Sequence, residues 1–293
     1  MNTEKGISVK HKRRLFKDRY DGRLVRVSDP FFRVMPQIMK TRSDAQVFFN
    51  EEYDISFTDK YIKQKRKEGY KNLKFLDVII ASYVRTVSQF PNINRFIAGR
   101  KVFARNSITA AMIIKKQMNT EAQETAIKID FLPTDTLFDV MEKINREIEL
   151  NKRADEKNST DDFADIMNSL PGFIIQFIAF LMNFLDSLGI MPKSVHSLSP
   201  FHTGLFISDL GSLGMKPIYH HIYDFGTTSL FIAFGIKKIT EDKRLIDLKI
   251  VADERISDGF TFAAALKQFK KYIENPELLA MPPEEIKEDT CSL

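Results

Sequence analysis

The 293-residue chain is 43% hydrophobic and 28% charged, with only 12 Gly and 11 Pro. That composition can bury a sizeable core, which excludes disordered and collagen-like classes and favours one large or two small domains. A single cysteine, Cys291, excludes a disulfide scaffold and a cysteine zinc site and points to a reducing compartment, the cytoplasm.

The net charge of +5 is concentrated at one end: residues 1–26 hold nine basic and three acidic side chains, and the remainder is close to neutral. Residues 1–30 therefore read as a basic N-terminal arm, first of all solvated and wrapped on its own fold or a neighbour, otherwise touching phosphates or anionic lipid; nucleic acid is not an expected partner. No apolar segment follows it closely enough to make a secretory signal.

Thr58–Gly69 has an N-cap, a charged body and a closing glycine, so an exposed helix is predicted. From Leu73 to Phe90 apolar residues recur with helical period until Pro91 ends the run, giving a packed amphipathic helix. Strands are predicted at Lys101–Ala104, Ser107–Ile114 and Thr125–Phe131, then a helix over Thr134–Leu150 capped by Thr134 or Asp135, and a polar loop over Asn151–Asp162. Between Phe173 and Leu185 only Gln176 and Asn183 are polar, yet the run is short of the roughly 20 residues that span a bilayer. It reads as an apolar helix at about 172–188, buried first of all, otherwise lining an apolar cavity or dipped into an interface. Strands at Thr203–Ser208, Thr228–Ile236 and Asp247–Ala252 and a last helix over Asp258–Ile273 complete the pattern. The expected fold is a single α/β domain over 31–280 with a large mixed sheet flanked by helices, and a tail over 281–293.

Generic motifs for nucleotide, zinc or serine-hydrolase chemistry are absent, and no metal is expected. The histidines are His11, His196, His202, His220 and His221, of which only the last two are adjacent, within Tyr219-His-His-Ile-Tyr-Asp-Phe-Gly226. A structural role at an interface is their first reading.

Asp253-Glu-Arg-Ile-Ser-Asp-Gly259, a following helix and Asn275-Pro-Glu-Leu-Leu279 resemble the D-H-R-x-x-D-G and N-P-x-x-L signature of the catalytic domain of 2-oxoacid dehydrogenase dihydrolipoyl acyltransferases. Phe206-Ile-Ser-Asp-Leu-Gly-Ser-Leu-Gly214 is similar to that family's F-T-I-S-N-L-G-x-x-G, Ser229-Leu-Phe-Ile-Ala-Phe-Gly235 to its A-I-L-x-x-G strand, and Pro91-Asn-Ile-Asn94 to its F-P-x-L-N turn. Chloramphenicol acetyltransferases share the superfamily fold and an H-x-x-x-D-G at the same place. The resemblance covers about 30–130 and 200–280, while 131–200, with the apolar helix, diverges.

The resemblance implies acyl transfer to or from coenzyme A as the substrate, in a homotrimer whose active sites lie between neighbouring subunits. Such chemistry needs a base for the attacking thiol or hydroxyl and a donor for the oxyanion, the latter worth about 3 kcal/mol. The resemblance places Ser208 as the oxyanion donor and Asp258 as a loop-fixing carboxylate, with Arg42 as its suggested partner. Where the family has its catalytic histidine this chain has Glu254. Three readings stay open: Glu254 is an atypical base, its pKa raised by burial; the protein is a degenerate homologue acting as a binding or assembly subunit; or His220, four residues before Asp224, replaces the base.

Overall fold

The computed structural model describes residues 17–26, 30–115, 124–152 and 169–289. His11, Cys291, residues 1–16 of the basic arm and nearly all of the expected 151–162 loop lie outside the described residues. In chain order the elements are β1 (Gly22–Leu24), α1 (Pro30–Ile38), β2 (Gln46–Asp54), α2 (Ser56–Lys67), α3 (Phe75–Gln89), β3 (Arg95–Ala98), β4 (Lys101–Arg105), β5 (Ile108–Lys115), β6 (Glu124–Phe131), α4 (Leu137–Lys152), α5 (Gly172–Ser187), α6 (Lys193–Leu198), β7 (Leu205–Asp209), β8 (Leu230–Phe234), β9 (Lys238–Ile239), β10 (Arg244–Asp253) and α7 (Gly259–Glu274).

The large sheet runs β2-β10-β8-β7-β5-β6, with β9 on β10. It is mixed: β7 lies parallel to β5 and β8, while β5–β6, β8–β10 and β2–β10 are antiparallel. The period of two divides each strand between two faces. Leu205 and Ile207, Leu230 and Ile232, and Leu248 and Ile250 enter the main core under the helices, while Phe206, Phe231 and Val251 face the other way, under Ile222 and Tyr223. Helix α3 is the centre of the helical layer and packs on α4 and α7. Val78, Ile79, Ile80 and Val84 are fully buried, each contributing about 1.5–3 kcal/mol by the apolar surface it removes from water.

A three-stranded sheet, β1-β4-β3, adds two strands, β1 and β3, that the sequence pattern did not predict, on either side of the strand expected at Lys101–Ala104. β1 belongs to the N-terminal arm, so this part of the arm is sheet structure, its three residues paired with Phe103–Arg105. β3 and β4 join through Gly99 and Arg100, both with positive φ (53° and 60°), as in a type I′ hairpin turn. Gly99 is required twice over: a Cβ there would also meet the Ser187 carbonyl at the end of α5.

The apolar helix departs most from expectation. α5 forms over the expected residues but is not buried: of its 16 residues only Asp186 is. The one polar group with strong bonding partners goes inside and the phenylalanines stay out, because at Asp186 the protein offers an arginine and a histidine, as described next.

Candidate functional site

β10 ends at Asp253, and a single helical turn, Glu254–Ile256, leads into α7. The turn is held from both sides. Asp253 Oδ1 accepts from the Arg255 amide (3.1 Å) and Nε (2.8 Å), and its Oδ2 accepts from an Arg255 terminal nitrogen (2.6 Å). Both side chains are buried, and Arg255 also donates to the Met39 carbonyl (2.8 Å). Asp258 is the N-cap of α7, its carboxylate accepting from the Thr261 amide (2.8 Å) and hydroxyl (2.7 Å). Burial works upward on this carboxyl, and the Thr261 donations, together with the Asp258 and Phe260 amides, hold it below the usual range. Glu254 is half-buried at the head of the turn, between these two fixed points.

Arg42 does not take up the expected bond to Asp258. Its guanidinium donates to the carbonyls of Asp224 (2.9 Å) and Ile97 (2.7 Å), and its amide to the Asp224 carboxylate (2.8 Å). The physical reason is local: the Asp258 carboxylate turns toward Thr261 to cap α7, while the Arg42 guanidinium is taken by the Asp224 and Ile97 carbonyls. Arg42 instead fastens the Asp224 loop to the hairpin strand β3. It also lines a cleft of about 180 Å³ with Lys40, Arg100, Asp186, Asp224 and Arg255.

Ser208 is half-buried on β7 opposite Ala233, whereas Ala252, two residues before Glu254, lies opposite Leu230. Three residues of β8 separate these levels, and Glu254 continues the register two residues further, roughly 16 Å from Ser208 along the strand, so Ser208 and Glu254 of one chain stand at opposite ends of β8 and cannot meet at one carbonyl. His220 is nearer to Ser208: its ring stacks on Phe231 at 4.2 Å and 8°, on the sheet face that also carries Phe206. Its spaced partner Asp224 is taken by Arg42 and by Ser43, whose amide (3.0 Å) and hydroxyl (2.9 Å) both donate to it.

A second charged cluster is invisible in the sequence because its members are 167 residues apart. Arg19 bridges Asp21 (2.8 Å) and Asp186 (2.6 Å), His196 Nε2 lies 3.2 Å from Asp21, and His202 Nε2 lies 3.7 Å from Asp186. His202 is buried, and its Nδ1 is 2.7 Å from the Ser199 hydroxyl. Burial disfavours the charge on Asp21 and Asp186, but the donations from the imidazoles and Arg19 prevail and hold both carboxyls below the usual range. Burial pushes His202 down, and Lys128, beside the cluster, down to about 8. The one signal available in the sequence is Asp186, the only charge in an otherwise apolar helix. Among the described residues no group of three or more His, Cys, Asp or Glu could hold a metal ion.

No family profile and no curated protein matches the sequence. Solved structures do. The cubic core of a pyruvate dehydrogenase multienzyme complex superposes with a TM-score of 0.55 at 10% identity, over 84% of this chain and 87% of that one. A dihydrolipoamide acetyltransferase of Azotobacter vinelandii gives 0.55 at 11% identity, over 86% and 93%; the study of it concerns a serine, a histidine and, four residues after the histidine, an asparagine in the catalytic mechanism. A chloramphenicol acetyltransferase gives 0.54 at 12% identity, over 88% of this chain and 99% of that chain. With the strand order, the turn after β10 and the capped α7 in place, the chain carries the CoA-dependent acyltransferase fold common to dihydrolipoamide acetyltransferase cores and chloramphenicol acetyltransferase.

Proposed function

We propose that the protein transfers an acyl group between coenzyme A and an acceptor, at a site completed by a second copy, in a cytoplasmic homotrimer. The observation that supports this most is the turn after β10. Glu254 and Asp258 have the four-residue spacing of the histidine and asparagine named for the Azotobacter enzyme, and the Asp253–Arg255 pair and the Thr261 cap fix the backbone on either side of Glu254. The roughly 16 Å along β8 between the levels of Ser208 and Glu254 suits a site in which one copy supplies the base and its neighbour the oxyanion donor. In that role Glu254 takes the proton of the attacking thiol or hydroxyl, and Ser208 donates to the oxyanion of the tetrahedral intermediate. Lys40 and Arg100, lining the cleft beside Arg255, carry the charge that the phosphates of coenzyme A need.

One observation favours a second reading of the base: His220 stacks on the sheet face that carries Phe206, two residues from Ser208. Release of free thiol from a panel of acyl-CoAs separates the readings. With Glu254 as base, Glu254→Gln lowers turnover about 10²-fold or more and His220→Asn leaves it nearly unchanged. The reverse pattern assigns the base to His220. No turnover and no binding of coenzyme A by the unaltered protein would overturn acyl transfer and leave a binding or assembly subunit.

A further inference from the structure

Helix α5 presents a row of aromatic rings to solvent. Phe173, Phe177, Phe180 and Phe184 are 73%, 63%, 67% and 51% exposed, and their spacing of four, three and four residues places them on one stripe of a 3.6-residue helix. Ile174, Ile178, Met182 and Leu185 on the other side are less exposed. Exposed apolar surface of this extent on a folded protein marks an interaction site. The helix is held rigidly at its C-terminal end, where Asp186 bonds Arg19 and Ser187 packs against Gly99.

We infer that α5 docks the protein on an anionic lipid surface, lying in the plane of the interface with its phenylalanine stripe among the acyl chains. Three observations select a bilayer. First, α5 offers Gln176 and Asn183 as its only polar side chains besides Asp186 and Ser187. A protein partner is matched by about one hydrogen bond per 100–200 Å² of interface, whereas acyl chains require none. Second, 16 residues rise only about 24 Å, short of the roughly 30 Å hydrocarbon core, and no helix among the described residues is long and apolar enough to cross a membrane. In-plane docking is the geometry left to it. Third, positive charge gathers at one end. Arg19 reaches Asp186 at the C-terminal end of α5, and Lys17, two residues before it, is exposed. Arg100, on the hairpin turn against Ser187, and exposed Lys193 lie at the same end. Charge attraction therefore acts at the C-terminal end of the helix, and the phenylalanines carry most of the binding.

The test is co-sedimentation of the 293-residue chain with mixed phosphatidylcholine and phosphatidylglycerol vesicles. The unaltered protein is expected to sediment with them, more weakly with pure phosphatidylcholine. Phe177→Ser with Phe180→Ser should lower partitioning about tenfold or more while circular dichroism stays native, since neither ring is part of the core. Two results would overturn the inference: an unaltered protein that stays in the supernatant with anionic vesicles, or a double variant that keeps its vesicle binding and dissociates into smaller species in sedimentation velocity, which would assign the stripe to a second copy of the chain.

Discussion

Asp77 shows how one side chain couples local structure to solution behaviour. It is fully buried at the start of α3, where its carboxylate accepts from the Lys74 amide at 2.6 Å. Burial pushes its pKa up to about 7, against the lowering by that amide. A carboxyl whose pKa is raised in the folded state binds its proton more tightly there than in the unfolded chain, so its contribution to stability is full below about pH 4 and is lost as pH rises toward 7. Asp77→Asn should flatten that part of the stability profile, measured as Tm between pH 4 and pH 8, and an unchanged slope would clear Asp77 of the effect. Asp21 and Asp186 act in the opposite direction: with pKa values below the usual range, their stabilisation is present above about pH 4 and is lost as pH falls.

Arg19 makes an element-scale link, since it ties the segment before β1 to the last turn of α5 through Asp21 and Asp186. All three side chains are buried. Removing the cation leaves two carboxylates inside with only imidazole partners, a loss of about 3–5 kcal/mol for a broken buried pair. Arg19→Met should therefore lower the urea midpoint strongly, and α5 should be the first element to gain amide exchange. Uniform loss of protection across the molecule would count against a local latch. The elements also differ in how legible they are. α3 and β8 announce themselves by period and by an unbroken apolar run, and α7 by the Asp258-Gly259 start. β2 alternates exposed and half-buried residues through Gln46–Asp54, a pattern diluted by Asn50, Glu51 and Glu52. It becomes a strand because nine residues of β10 pair with it, a long-range cause no local window contains.

On the scale of the whole molecule, the turn after β10 and the serine of β7 sit at opposite ends of β8, so an active site using both requires two copies. Coexpression of the Glu254→Gln chain with the Ser208→Ala chain tests this. Mixed oligomers contain some sites with intact Glu254 from one chain and intact Ser208 from the other, and thiol release should reappear that neither variant shows alone. Equal silence of the mixture, with mixed assemblies demonstrated by mass, would exclude a shared site.

Most of the strands and helices from α2 to α7 are legible in local patterning, because period and caps act over a few neighbours, and the candidate residues Ser208, Glu254 and Asp258 come from short segments that resemble the acyltransferase signature. Which of those residues touch was decided only by the folded chain. Arg42 and Asp258 could be named from the sequence but not paired, since the N-cap geometry that satisfies Asp258 with Thr261, and the approach of Asp224 and Ile97 that satisfies Arg42, are tertiary. The same holds for α5: its composition foretold an apolar helix, while which of its side chains is buried, Asp186 against Arg19 and His202, was decided across the fold by contacts that no stretch of sequence encodes by itself.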